Sequence, residues 1–232
     1  MFTDTLEALK HLLWPTRCAS CDVLLDDPGA LVCAECLKSV ASARDVEPPP
    51  EHIDRACPLF VYDGAVRSMI SKWKYHEDFA AQNAILSFIP QQIERLREAI
   101  PKDACLIPVP PHPKRLRERG FDPVWTFATR LAKNLKSAGI SVDFRDDVII
   151  RTRHTSHQAS LSQDERLHNL DGAFRVKSQP DTDRIVLIDD VMTTGTTGSV
   201  CAQTLREFAG AKRIVLVTLA HPIHDDVPDH VE

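Results

Sequence analysis

Residues 184–199, RIVLIDDVMTTGTTGS, constrain the fold of this chain more than any other stretch. Residues 185–188 are apolar without interruption, the pattern of a strand covered on both faces in a parallel sheet. Asp189 and Asp190 stand at its carboxyl end, hydroxyls and glycines follow, and helical spacing begins at 197. The carboxyl edge of a parallel sheet is where open α/β folds bind ligands. A helix N-terminus adds free N–H groups and the positive end of a dipole, which favour a phosphate. Gly195 and Gly198 let the backbone turn its amides inward, and Thr193, Thr194, Thr196 and Thr197 supply hydroxyl donors. Asp189 and Asp190 would repel a phosphate laid on them but suit sugar hydroxyls, which donate to carboxylates. One end of the segment therefore fits a sugar and the other a phosphate. A threonine-rich helix cap after a core strand is the plain alternative, and it leaves the two adjacent acids unexplained. The rival phosphate motifs GxxxxGK[ST] and GxGxxG do not occur.

Around this segment the apolar spacing alternates between strand and helix. Residues 59–62 and 105–109 read as short strands, 142–150 as β-prone, and 214–219 as a second buried strand. Helical spacing covers 65–75, 79–99, 122–138 and 197–209. In 122–138, Val124, Phe127, Leu131 and Leu135 share one stripe. Residues 151–170 are polar and read as a long loop. The alternation predicts an α/β fold with a central parallel sheet. The length of 232 residues allows one main domain and a small appendage. Residues 4–14 read as an amphipathic helix with Leu6, Leu9 and Leu13 on one face, ended by Pro15. Residues 44–52 are rich in proline and acids. The division expected is 1–45 for a helix and a cysteine module, 46–58 for a linker, and 59–232 for the ligand-binding domain.

Seven cysteines are present, and four of them form two CxxC pairs: Cys18 with Cys21, and Cys33 with Cys36. An odd total fits a disulfide framework poorly and favours metal binding by the cluster. Two such pairs complete a tetrahedral four-cysteine site for Zn²⁺, and four protein ligands leave no open position, so the ion would be structural. A segment this short has little core of its own, and zinc would supply its folding energy. Four reduced thiols without a metal are the alternative. Cys57 stands alone, and Cys105 and Cys201 fall on core-facing elements as packing residues.

The run IVLIDDVMTTGTT, residues 185–197, resembles without a gap the signature with which type I phosphoribosyltransferases bind 5-phosphoribosyl-1-pyrophosphate (PRPP). Three more segments extend the likeness. Residues 107–122 (IPVPPHPKRLRERGFD), 151–174 (RTRHTSHQASLSQDERLHNLDGAF) and 62–75 (YDGAVRSMISKWKY) resemble segments of the ComF family. That family of competence-related proteins is similar to amidophosphoribosyltransferases at the PRPP site. ComF-like proteins often carry an N-terminal cysteine module. The resemblance implies a type I phosphoribosyltransferase fold that binds PRPP through Asp189, Asp190, Val191, Met192, Thr193, Thr194, Gly195, Thr196 and Thr197. It implies that the loop with Pro110, Lys114, Arg115 and Arg119 meets pyrophosphate. It also implies that the segment with Arg151, Arg153 and Gln158 closes over the site. Mg²⁺ commonly bridges such phosphates. For Lys114 to Arg119 a solvated helix start stands beside this reading, and for 151–157 an exposed polar loop. No histidine is assigned as a base.

Two functions remain in view. One is a Mg²⁺-dependent transferase that moves the phosphoribosyl group to an acceptor the sequence does not name, of which a purine or pyrimidine salvage enzyme is a special case. The other is a PRPP-sensing factor that binds single-stranded DNA among the competence machinery. Aromatics that look exposed are scarce, and the net charge of −5 gives no overall attraction to polyanions. Both features weigh against the second function, while the cysteine module, the basic stretch 112–119 and the role in DNA uptake during natural transformation that the ComF resemblance implies support it. No apolar run approaches the roughly 18 residues of a membrane span. The first residues carry acids early and lack the basic start of a signal peptide. A cytoplasmic protein without membrane insertion is expected, with its oligomeric state unread.

Overall fold

The computed structural model describes residues 15–152 and 172–222. The expected helix at 4–14, Arg153 and Gln158 lie outside the described residues. In chain order the elements are α1 (Ala34–Lys38), β1 (Arg55–Val61), α2 (Gly64–His76), α3 (Phe79–Ser87), a 3₁₀ turn (Ile89–Gln92) and α4 (Ile93–Ala99). Then come β2 (Ala104–Pro108), α5 (Pro113–Arg119), α6 (Pro123–Ser137), β3 (Val142–Phe144) and β4 (Ile149–Arg151). Past residue 172 follow β5 (Phe174–Val176), β6 (Arg184–Val191), α7 (Thr196–Ala209) and β7 (Arg213–His221).

Five strands form one sheet in the order β1-β7-β6-β2-β3, and every pair in it is parallel. β4 and β5 form a separate antiparallel pair. The uninterrupted apolar run of β6 is explained by its two covered faces. Ile185 and Leu187 pack with Val200, Cys201 and Leu205 of α7 on one side. Val186 and Ile188 join Phe127, Leu131 and Leu135 of α6, and Met69, Ile70 and Trp73 of α2, on the other. The α/β class and the central parallel sheet are as the sequence predicts.

Three stretches differ from expectation. The helical spacing of 79–99 breaks at the turn holding Pro90, because proline lacks an N–H and its ring collides with the carbonyl four residues back. The β-prone stretch 142–150 divides between two sheets. Between the parts, Arg145 bonds Asp147 at 2.8 Å, making a charged turn that a buried strand could not carry. β1 begins at Arg55, inside the segment expected as linker. The chain before it pairs antiparallel with β1 through Ser42 with Phe60 and Val46 with Ala56.

The cysteine segment is packed against this body. Ala19 belongs to the core shared with α2. Ser68 Oγ on α2 donates to the Ser20 carbonyl at 2.8 Å, and Lys72 Nζ reaches Asp22 Oδ2 at 2.7 Å. Positions 68 and 72 are one helical turn apart, so a single stripe of α2 receives the segment.

Candidate functional site

The chain leaves β2 toward β3 and leaves β6 toward β7, in opposite directions across the sheet. The loops at the carboxyl ends of these neighbouring strands therefore diverge and open a crevice between them. A cavity of about 380 Å³ lies there. Pro110 and its neighbours wall it from β2, and residues 189–198 wall it from β6.

On the β6 wall the two acids are not equivalent. Asp189 accepts a bond from the backbone N–H of Asp190 at 2.8 Å. Asp190 is clamped on both oxygens: the Val191 N–H donates to Oδ1 at 2.6 Å and Lys74 Nζ meets Oδ2 at 2.7 Å. Burial, and then the neighbouring charge of Asp190, push the Asp189 carboxyl up to about 7. The strand runs past its apolar stretch: Asp189, Asp190 and Val191 belong to β6, and Met192 follows directly after it. Val191 is in register with Ala220, and the Met192 N–H bonds the Ala220 carbonyl at 3.0 Å. Both still line the cavity.

The turn after them fits an anion. Gly195 has φ 75° and stands at the N-cap of α7, where no side chain caps the helix. The first-turn amides at Thr196, Thr197 and Gly198 are the ones that every helix leaves without an intrahelical partner. The Thr194 and Thr196 hydroxyls are 2.8 Å apart. Thr193 and Thr194 are exposed, Thr196 is buried, and all four threonines border the cavity.

Opposite stand cations. Arg115 and Arg119 of α5 line the cavity, as does Arg151 at the end of β4. The Arg151 guanidinium lies over the Phe174 ring at 5.3 Å. Lys114, expected to join them, points to solvent: its side chain is 70% exposed and pairs with Glu118 at 3.7 Å. The reason lies in the short helix. His112 Nδ1 caps α5 by accepting the Lys114 N–H at 3.1 Å, Pro113 sits at its start and Gly120 ends it, which fixes the two residues on different faces.

Three further residues at the cavity were not assigned from the sequence. Lys74 and Tyr75 come from the end of α2, and Asp122 caps α6 by accepting the Val124 N–H at 2.9 Å. Burial raises the Asp122 carboxyl pKa. Tyr75 is 64% exposed with the Arg119 guanidinium 5.1 Å from its ring centre. Phe79 is also exposed and meets Phe121 at 6.4 Å. The expected scarcity of exposed aromatics is thus corrected. Tyr75 and Phe79 fall at helix ends, off the buried stripes that apolar spacing detects.

The four module cysteines converge. Their sulfurs all lie within 4.8 Å of one another, and those of Cys21 and Cys33 are 3.8 Å apart. A tetrahedral ion with bonds of about 2.3 Å sets its sulfurs about 3.8 Å apart, so the cluster fits a bound metal. Backbone N–H groups already point at the sulfurs, with Cys33 N to Cys18 Sγ at 3.3 Å and Cys36 N to Cys33 Sγ at 3.5 Å. Burial alone would raise the Cys18 thiol, but backbone N–H groups led by that of Cys21 outweigh it and hold it at about 6. Cys105 and Cys201 are buried in the core, as their spacing predicts. No helix among the described residues is long and apolar enough to cross a membrane.

No family model matches the chain. Individual proteins do. Competence protein ComFC of Streptococcus pneumoniae is 26% identical over 209 residues, 87% of this chain and 86% of that protein. Competence protein F of Haemophilus influenzae is 24% identical over 81% of this chain and 77% of its own length. DNA utilization protein YhgH of Salmonella typhi is 27% identical over the same shares. Among solved structures, a hypoxanthine phosphoribosyltransferase from Staphylococcus aureus overlaps 59% of this chain and 62% of its own, with a TM-score of 0.38 and 13% identity. Across most of its length, then, the chain is a ComF-like sequence, and its long relatives are competence and DNA-utilization proteins.

Proposed function

We propose that the chain binds PRPP in the cavity between β2 and β6 and transfers its phosphoribosyl group to an acceptor. One observation carries the reading. Two acids, a left-handed glycine and an uncapped helix N-terminus follow one another on one wall, and Arg115, Arg119 and Arg151 face them. Asp189 and Asp190 receive the ribose hydroxyls, and the amides and hydroxyls from Thr193 to Thr197 hold the 5-phosphate. The arginines take the pyrophosphate and stabilise its charge as it leaves. Mg²⁺, if it binds together with PRPP, would supply positive charge at the pyrophosphate. Arg153 and Gln158 belong to the segment assigned to close over the site. A structural Zn²⁺ on Cys18, Cys21, Cys33 and Cys36 completes the protein. The metal-holding part lies before residue 46, the connection runs from there to the start of β1, and the chain from β1 onward forms the ligand-binding part. The setting is the cytoplasm. Titration calorimetry with PRPP and Mg²⁺ tests binding, and pyrophosphate release with amines and bases tests transfer. Uptake without release under any acceptor leaves a sensor rather than an enzyme.

That sensor is the second reading, favoured by one observation. The exposed Tyr75 ring and the half-buried Arg119 form an aromatic–cation pair bordering the cavity, suited to stacking a base and meeting a backbone phosphate. Relatives named for competence and DNA utilization support a role with single-stranded DNA and the competence machinery. A shift assay on single-stranded DNA at low salt decides it, and absence of binding removes it.

A further inference from the structure

The acid doublet presents a difficulty for any anionic ligand. Two adjacent carboxylates and Asp122 line the same cavity into which the phosphates must come. The arginines stand on elements other than α2 and β6. Lys74 instead touches the doublet itself. Its ammonium lies 2.7 Å from Asp190 Oδ2, with side chains only 12% and 17% exposed. The residue before it, Trp73, is fully buried and anchors the last turns of α2.

We infer that Lys74 is a positioning residue that acts through Asp190: it cancels one charge of the doublet and fixes that carboxylate, so that sugar hydroxyls and phosphates are accepted side by side. The inference rests on the reading of the cavity as a sugar-phosphate site. Asp190, held by Lys74 and by the Val191 N–H, is then the rigid member. Asp189 keeps a carboxylate oxygen for the ligand. A lysine that touched the phosphate directly would behave differently, because its loss would weaken binding whatever stood at position 190.

A double-mutant cycle separates the two. Ribose 5-phosphate is titrated into the full chain as wild type, Lys74→Met, Asp190→Asn and the double variant, and thermal melting is followed for all four. Lys74→Met is expected to weaken ribose 5-phosphate about tenfold or more. In the Asp190→Asn background the same change costs less than about twofold, the mark of one shared interaction. Lys74→Arg, which keeps the charge, stays within about threefold of wild type. Lys74→Gln stands in if the methionine variant fails to fold. Additive losses, or coupling seen in melting but not in binding, overturn the inference and leave the site reading intact. A wild-type protein that takes up neither ribose 5-phosphate nor PRPP defeats the site reading itself, and this inference with it.

Discussion

The ring of Pro50 occupies the space that a Cβ on Gly195 would need. Gly195 also has φ 75°, a conformation that costs an ordinary residue about 1–2 kcal/mol. The proline-rich stretch before β1 therefore packs on the turn that precedes α7. Gly195→Ala should displace the two from each other, lower stability by about 2 kcal/mol and abolish measurable PRPP binding. Calorimetry and urea denaturation check this. Unchanged affinity would show that the turn does not need its left-handed corner.

Asp189 gives a pH signature in the ligand-free protein. Its folded pKa, near 7, stands above the usual 3.8, so the folded state prefers the protonated acid. Its contribution to stability is full below pH 3.8 and is lost as pH rises through about 7. Asp189→Asn removes that loss. At pH 8 the variant should be more stable than wild type by about 1–3 kcal/mol, and at pH 4 the two should converge. Its affinity for PRPP should fall at both pH values. Urea denaturation at pH 4, 6 and 8 reads the difference, and a gap independent of pH would contradict the assignment.

These two residues show how far the sequence reaches. Asp189 and Gly195 were legible because strand, acid doublet, glycine turn and helix are consecutive, and each is dictated by local chemistry. The buried stripes of α6 and the convergence of four cysteines were equally local. Lys74 was not legible as a site residue. It lies 116 positions before Asp190 along the chain, and only the core that α2 shares with one face of β6 brings them together. Tyr75, at a helix end, falls off the buried stripe that apolar spacing detects. A run of basic residues does not say which of them faces inward, and the exposed place of Lys114 depends on the cap and start of a seven-residue helix.

Lys114 and Arg115 offer a paired test on that helix. They are adjacent in sequence, yet Arg115 lines the cavity and Lys114 does not. Arg115→Ala should weaken inorganic pyrophosphate about tenfold, the worth of one charge-assisted contact. Lys114→Ala should change it less than about twofold, since an exposed pair with Glu118 contributes little. Equal losses would mean that pyrophosphate meets a diffuse field rather than a chosen side chain.

Metal removal should be felt at the cavity. The cysteine module is received by Ser68 and Lys72, and the same helix ends in Lys74 and Tyr75. Chelation, or Cys18→Ser, should release one zinc per chain, lower the melting temperature and weaken ribose 5-phosphate severalfold. Metal analysis, melting curves and calorimetry on one preparation suffice. Zinc loss with unchanged affinity would show that α2 holds its end independently of the module.

Tyr75 separates the two proposed roles of the cavity mouth. A base stacked on an exposed aromatic is worth about 1–3 kcal/mol, so Tyr75→Ala should weaken a short oligo-dT about tenfold with little change in salt dependence. Arg119 stands over the same ring, and its charge suits a backbone phosphate. Arg119→Gln should therefore reduce the slope of log affinity against log salt by about 0.7. PRPP affinity should survive Tyr75→Ala, because the ring lies at the rim while the acids and amides lie on the β6 wall. If Tyr75→Ala instead abolishes PRPP uptake and leaves oligo-dT unaffected, the ring serves the small ligand, and the DNA reading loses its structural support.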